Sequence, residues 1–195
     1  MVRRWPVTFL SWRWPRAFKG GGYNIAMRPL FESKFCPPDE FASRAAALAQ
    51  KRVFTNGVFD VLHRGHVTYL AEARALGASL IVALNSDASV KRLGKGDDRP
   101  VNTLEDRMAL IAALECVSLV TWFEEETPMR RLHEAHPEIL VKGGDWPLDK
   151  IVGATEVQSW GGSVHSIAFQ FERSTTATLA RIRRAIAAPV DPKIA

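Results

Sequence analysis

Thr55-Asn56-Gly57-Val58-Phe59-Asp60-Val61-Leu62-His63-Arg64-Gly65-His66 sits where the first strand of the chain hands over to its first long helix. Gly57 permits a tight turn or close backbone approach. His63 and His66 are three apart at a helix start, so both face one point. Gly65 between them leaves room for a ligand. The helix start adds unpaired N–H groups and the positive end of the peptide dipole. Together these features make a phosphate site with two imidazoles able to donate hydrogen bonds. That suits charge developing on a phosphoryl group in transfer. A zinc site would want a third ligand, and no cysteine or HExxH pattern accompanies the pair.

Outward from this junction the chain alternates strand and helix. Residues 39–50 read as a short helix after Pro37-Pro38. Val53-Phe54-Thr55 opens a strand, and Ser79 to Leu84 is a continuous apolar run that fits a strand buried on both faces. Thr103-Leu104-Glu105-Asp106 reads as a capping box for a helix carrying Met108, Ile111 and Leu114 on one face. Leu119 to Phe123 is another strand. Thr127-Pro128 signals a helix start, and Pro137 stops that helix. Ile139 to Val141 is a short strand, 149–159 a helix and 163–169 a strand. Ser174 is read as the cap of a final helix with Leu179, Ile182 and Ile186 facing inward. The alternation predicts a parallel sheet with helices on both faces, and a site at the carboxyl ends of its strands.

The chain has 195 residues, 47% hydrophobic and 24% charged, which fits an ordinary soluble protein and excludes a disordered or fibrous one. No apolar run approaches the roughly 20 residues that span a bilayer, so no membrane is expected. The net charge of +5 belongs to a tail: residues 1–26 hold Arg3, Arg4, Arg13, Arg16 and Lys19 and no acid. The remainder is neutral, so a nucleic-acid partner is not expected. That segment also carries Trp5, Trp12 and Trp14, broken by prolines and glycines, and is read as a disordered or mis-assigned extension before Met27. The expected organisation is an arm over 27–50 with a short helix, a catalytic domain over 51–188 and a tail over 189–195. Cys36 and Cys116 form no CxxC pair or disulfide framework, which points to a reducing, cytoplasmic setting. His133 and His136 end a helix before Pro137, where cations are favoured for structural reasons.

The 55–66 stretch resembles the GxFDxxHxGH motif of the nucleotidyltransferase superfamily, related to the HIGH motif of class I aminoacyl-tRNA synthetases. The likeness runs over roughly residues 50–185. Asn85-Ser86-Asp87, Arg107, Lys142-Gly143-Gly144-Asp145-Trp146 and Arg173-Ser174-Thr175-Thr176 follow in family order. Together with Arg99-Pro100 they are most similar to the adenylyltransferase half of ADP-heptose synthases, without the kinase half. The resemblance implies a Rossmann-like, three-layer α/β fold with a parallel five-stranded sheet. It also implies transfer of AMP from ATP, with Mg²⁺, to D-glycero-β-D-manno-heptose 1-phosphate, for the lipopolysaccharide inner core, by a homodimer or larger homo-oligomer. Alternatives are a glycerol-3-phosphate cytidylyltransferase-like or FAD synthetase-like enzyme, or a non-catalytic nucleotide-binding module. The absence of GxGxxG at the first strand–helix turn excludes a dehydrogenase.

The expected catalytic residues are His63 and His66. Thr55, Asn56, Gly57, Phe59, Asp60, Gly65, Arg173, Ser174, Thr175 and Thr176 are expected at the nucleotide. Asp60 is read as orienting a histidine, binding Mg²⁺ through water, or capping the turn. Ser174 to Thr176 would offer hydroxyls and helix N–H groups to triphosphate oxygens. Glu172 precedes them where the family commonly has glycine. Asn85, Asp87, Lys91, Arg107, Lys142 and Asp145 are expected at the acceptor, with Lys142 at a carboxyl strand end to meet its phosphate. Lys91, Arg92 and Lys95, with Gly94 and Gly96, read either as a lid over phosphates or as a solvated charge run.

Overall fold

The Ser79–Asn85 run is buried at every position. Leu80, Val82 and Leu84 point into one apolar cluster and Ile81 and Ala83 into another. Such two-sided burial requires a central strand with covered faces, and the computed structural model has that arrangement. It describes residues 29–94, 96, 98–171 and 175–187. In chain order the elements are α1 (Phe41–Ala46), β1 (Arg52–Gly57), α2 (Arg64–Ala75), β2 (Ser79–Asn85), α3 (Asp87–Arg92), α4 (Leu104–Ala112), β3 (Leu119–Phe123), α5 (Met129–Ala135), β4 (Ile139–Gly143), α6 (Ala154–Ser159), β5 (Ser163–Ile167) and α7 (Thr175–Ala187). Short 3₁₀ turns occupy Leu30–Lys34 and Leu148–Lys150.

The five strands form one sheet in the order β3-β2-β1-β4-β5, every pair parallel. This is the parallel sheet expected from the alternation, with the five strands and Rossmann-like form that the resemblance implies. Phe41, Ala45, Leu132, Ala135, Ala154 and Val157 of α1, α5 and α6 pack on one face. Tyr69, Leu70, Ala73, Met108, Ile111 and Ala112 of α2 and α4 pack on the other. Each such large apolar side chain contributes about 1.5–3 kcal/mol on burial. From β1 the chain moves to β2 and β3 on one side, then returns to β4 and β5 on the other. The reversal opens a crevice between the carboxyl ends of β1 and β4, the place where such sheets bind ligands.

Local signals account for most boundaries. Ser86 Oγ accepts from Ser89 N at 3.1 Å and starts α3. Thr103 caps α4 through Asp106 N at 3.3 Å, but the Asp106 carboxylate accepts from the Thr103 hydroxyl and not from its backbone N–H, which alters the expected box. Thr127 caps nothing: α5 starts after Pro128, with no side-chain cap. His136 ends α5 at φ 43°, and its ring stacks on Trp160 at 4.3 Å, at the amino end of β4. The helix expected over 149–159 is cut by Gly153, whose φ of 89° turns the chain into α6. A Cβ at Gly153 would lie 2.1 Å from Leu132 Cδ2. The helix expected over 39–50 is confined to α1, and β5 ends before Phe169.

One expectation is overturned by packing. Ile182 and Ile186 of α7 are 49% and 79% exposed rather than inward-facing. Thr175 is buried, so α7 packs by its first turn, and its second half is exposed, with Arg183 paired to Asp98. Periodicity shows an apolar stripe but not what covers it. Cys36, in the arm before β1, is fully buried, and its N–H donates to Val120 O at 2.9 Å along the β3 edge. Burial pushes its thiol up to about 11, which makes it inert.

Candidate active site

Phe59 follows β1 in the left-handed region at φ 48°, which lays its ring against Gly57. A Cβ at Gly57 would lie 2.9 Å from Phe59 Cε2, so the close approach requires glycine. His63 is the extended residue before α2, and His66 lies in its first turn. The two rings stack, 3.8 Å between centroids and 18° between planes. At Gly65 a Cβ would lie 3.1 Å from His63 Cε1 and 3.4 Å from Phe171 O. His66 meets Phe59 edge-on at 5.2 Å and Phe169 at 6.4 Å. Its buried Nδ1 has no hydrogen-bond partner among the described residues. A buried polar atom left unpaired is costly, and one at a switch point marks a ligand position.

Burial first, and the neighbouring His63 second, lower the His66 pKa from 6.5 to about 4. The ring is therefore neutral at pH 7. Between pH 6.5 and 4 the unfolded chain binds a proton that the folded chain refuses, so this contribution to stability is lost as pH falls through that window. We expect urea midpoints to drop between pH 7 and pH 5, and His66→Asn to remove much of that drop. The full window corresponds to on the order of 3 kcal/mol. An identical pH dependence in both proteins contradicts this account of His66.

Several expected site residues build the frame behind the histidines. Asp60 is buried, with Oδ2 accepting from Arg99 Nε at 2.5 Å and Oδ1 from Val101 N and Asn102 N at 2.8 and 2.9 Å. Both carboxylate oxygens accept from the 99–102 loop, so Asp60 anchors that loop to the histidine motif. Arg107 is 0% exposed. It donates to Val58 O at 2.7 Å, Asn85 O at 2.9 Å, Asp87 Oδ1 at 2.7 Å and Asn102 O at 3.2 Å. The acceptor contact expected of Arg107 is replaced by this positioning role: it ties the histidine loop to the end of β2 and the start of α3. Asn85 donates to Ser89 Oγ at 3.0 Å, and Asp87 Oδ2 accepts from Leu104 N at 3.3 Å. Thr55 Oγ1 lies 2.5 Å from Tyr69 OH in the core.

Of the remaining candidates, one bridges the carboxyl ends of β1 and β4. Lys142 Nζ, at the end of β4, lies 3.4 Å from both Asn56 O and Asn56 Oδ1 at the end of β1. Asp145 is exposed beside Trp146, whose indole N–H donates to Gly143 O at 3.2 Å. Lys91 is exposed on the last turn of α3, and Thr176 is exposed at the start of α7. Arg92 donates to Glu124 O. Lys95, Glu172, Arg173, Ser174, residues 1–26 and the 189–195 tail lie outside the described residues.

Sequence reading missed Arg64, Phe169 and Phe171. The Arg64 guanidinium lies 3.8 Å from the Phe171 ring centroid. His63, Arg64, Phe171 and Thr178 line a cavity of about 320 Å³ between α2 and α7. Two aromatics just beyond the carboxyl end of β5 were the available signal. No cluster of three potential metal ligands occurs among the described residues, and no described helix is long and apolar enough to cross a membrane.

The sequence profile of a family described as cytidylyltransferase-like matches residues 54–189. The chain is 54% identical over 156 residues to a D-beta-D-heptose 1-phosphate adenylyltransferase of Bordetella bronchiseptica, covering 79% of this chain and 96% of that one. It is 53% identical over 140 residues to the bifunctional protein HldE of Hahella chejuensis, 72% of this chain but only 29% of that protein. Among solved structures, a lipopolysaccharide core biosynthesis protein from Thermoplasma volcanium superposes with a TM-score of 0.53 at 30% identity, over 64% of this chain and all of that one. With its family profile spanning most of the sequence, this chain belongs to the cytidylyltransferase-like family.

Proposed function

We propose that this chain transfers AMP from MgATP to D-glycero-β-D-manno-heptose 1-phosphate, releasing pyrophosphate and forming ADP-heptose for the lipopolysaccharide inner core. The observation that carries the chemistry is the stacked His63–His66 pair at the start of α2, beside the β1–β4 crevice. The substrate class follows from the 54% identity to the Bordetella adenylyltransferase along nearly its whole length.

The attacking oxygen belongs to the acceptor phosphate and is already ionised near pH 7, so no protein base is needed. What the protein supplies is alignment and charge stabilisation at the α-phosphate. His66, neutral at pH 7, donates one N–H to an α-phosphate oxygen as negative charge concentrates there. His63 and the free N–H groups of α2 act on the same phosphate. Lys142, bridged to Asn56, holds the acceptor phosphate in line. Mg²⁺ enters as part of the nucleotide substrate, consistent with a hard cation that favours phosphate oxygens and water over a protein cage. A cytoplasmic homodimer or larger homo-oligomer belongs to the same reading.

The test is the mass of the product made from the heptose phosphate with equal ATP and CTP. We expect ADP-heptose in large excess. CDP-heptose as the main product overturns the choice of base, and no sugar nucleotide overturns the acceptor.

A further inference from the structure

The ladder between β1 and β4 ends early. Among the described residues it pairs Val53 with Ile139 and Phe54 with Leu140 and goes no further. Yet β1 stays paired to β2 as far as Gly57, and β4 to β5 as far as Gly143. The next two positions in that register set Thr55 opposite Val141 and Asn56 opposite Lys142. Side chains join both. The Tyr69 phenol, from α2, stands between the first two: its O–H donates to Val141 O at 3.3 Å, and Thr55 Oγ1 lies 2.5 Å from its oxygen. A phenol carries one proton, so with that proton on Val141 O the Thr55 hydroxyl is the donor to Tyr69. Lys142 Nζ, 3.4 Å from Asn56 O and Oδ1, joins the second pair.

Tyr69 is buried, and burial raises its phenol far above its ordinary pKa, so it stays a donor. It lies three residues after His66, on the same face of α2. Phe169 meets both rings edge-on, with centroids 5.8 Å from Tyr69 and 6.4 Å from His66. A Cβ at Gly143 would lie 3.2 Å from Tyr69 Cε2, so the ring also abuts the end of β4. Filling this space needs only the ring. The buried hydroxyl needs polar partners, and those it has are the two strand ends that border the crevice. We propose that Tyr69 is a positioning residue: its hydroxyl, held between Thr55 and Val141, fixes the width of the crevice and so sets Lys142 on β4 against His66 on α2 at the spacing that in-line transfer requires. This rests on the AMP-transfer reading above. Tyr69 acts through Lys142 and His66, by holding the acceptor phosphate and the α-phosphate in register.

The test is steady-state pyrophosphate release by the full chain from MgATP and D-glycero-β-D-manno-heptose 1-phosphate, with urea midpoints on the same preparations. Tyr69→Phe keeps the ring and Thr55→Val keeps the shape, so both variants retain the packing. Each is expected to lower kcat about 10-fold or more while KM for MgATP changes less than about twofold. Thr55→Ser keeps the hydroxyl and is expected to keep turnover near that of the wild type. The two hydroxyls form one bridge, so the double variant Tyr69→Phe/Thr55→Val is expected to be no slower than the slower single one. Unchanged kcat in Tyr69→Phe and Thr55→Val, with only the urea midpoints lowered, overturns the proposal. So do multiplicative losses in the double variant, or a loss that appears as a raised KM for MgATP at unchanged kcat. Wild-type protein without release that depends on the sugar phosphate overturns the transfer reading itself, and Tyr69's role with it.

Discussion

His66→Ala is expected to lower turnover with ATP by about 100- to 1000-fold, while affinity for a non-hydrolysable ATP analogue changes only a few-fold. The split follows from when the interaction forms. A neutral imidazole gains little from a ground-state phosphate already solvated by Mg²⁺ and helix N–H groups. It gains much when charge concentrates on the α-phosphate beside a ring packed edge-on by Phe59 and Phe169. Losing one such donor costs about 3–4 kcal/mol of transition-state stabilisation. The stacked His63 ring remains, so the variant keeps residual activity. Steady-state rates and analogue binding measured on the same preparation check this. A variant with near-normal turnover refutes the role given to His66, and one that loses binding and turnover equally shows that the ring only packs.

The second large effect concerns the frame. Arg107→Ala is expected to cost about 3–5 kcal/mol of folding stability, read as a lower urea midpoint. The truncation strands the carbonyls of Val58, Asn85 and Asn102 and one oxygen of Asp87, each a hydrogen-bond acceptor of Arg107. The Asn85 carbonyl is buried and the other acceptors partly so, the Asp87 side chain being 41% exposed; an unsatisfied buried acceptor costs about 1–3 kcal/mol, and the cavity left by the guanidinium adds to that. Against a total of about 5–15 kcal/mol for a typical domain, the variant approaches the unfolding threshold. Arg107→Lys keeps the charge but cannot reach four acceptors with one ammonium, so it is expected to recover part of the loss. A loss below about 1 kcal/mol in Arg107→Ala means that the loops hold themselves.

Different physical signals made different parts of this molecule legible in sequence. The run from Ser79 to Leu84 announced a strand buried on both faces, and strand–helix alternation then implied the parallel sheet. The spacing of His63, Gly65 and His66 at a strand–helix junction located the crevice. Neither signal depends on distant partners. Arg107 and Asp60 were harder: a charged residue in a family motif reads as a ligand contact, and only tertiary structure shows its polar atoms committed to protein. Arg99, buried against Asp60, follows the same logic. The exposed Ile182 and Ile186 failed for the converse reason, since an apolar stripe carries no information about its cover. Phe169 and Phe171 look like core aromatics in one dimension. Their position just past β5 brings them to the histidines instead.

The central claim, that the histidine pair drives acceptor-dependent adenylyl transfer, is tested most directly by pyrophosphate release from MgATP. Purified wild-type protein and His66→Ala are run side by side, with and without D-glycero-β-D-manno-heptose 1-phosphate. The account predicts release that requires the sugar phosphate and falls by two to three orders of magnitude in the variant, roughly the effect of losing one transition-state donor. Release that is independent of the sugar phosphate, or equal in the two proteins, contradicts it.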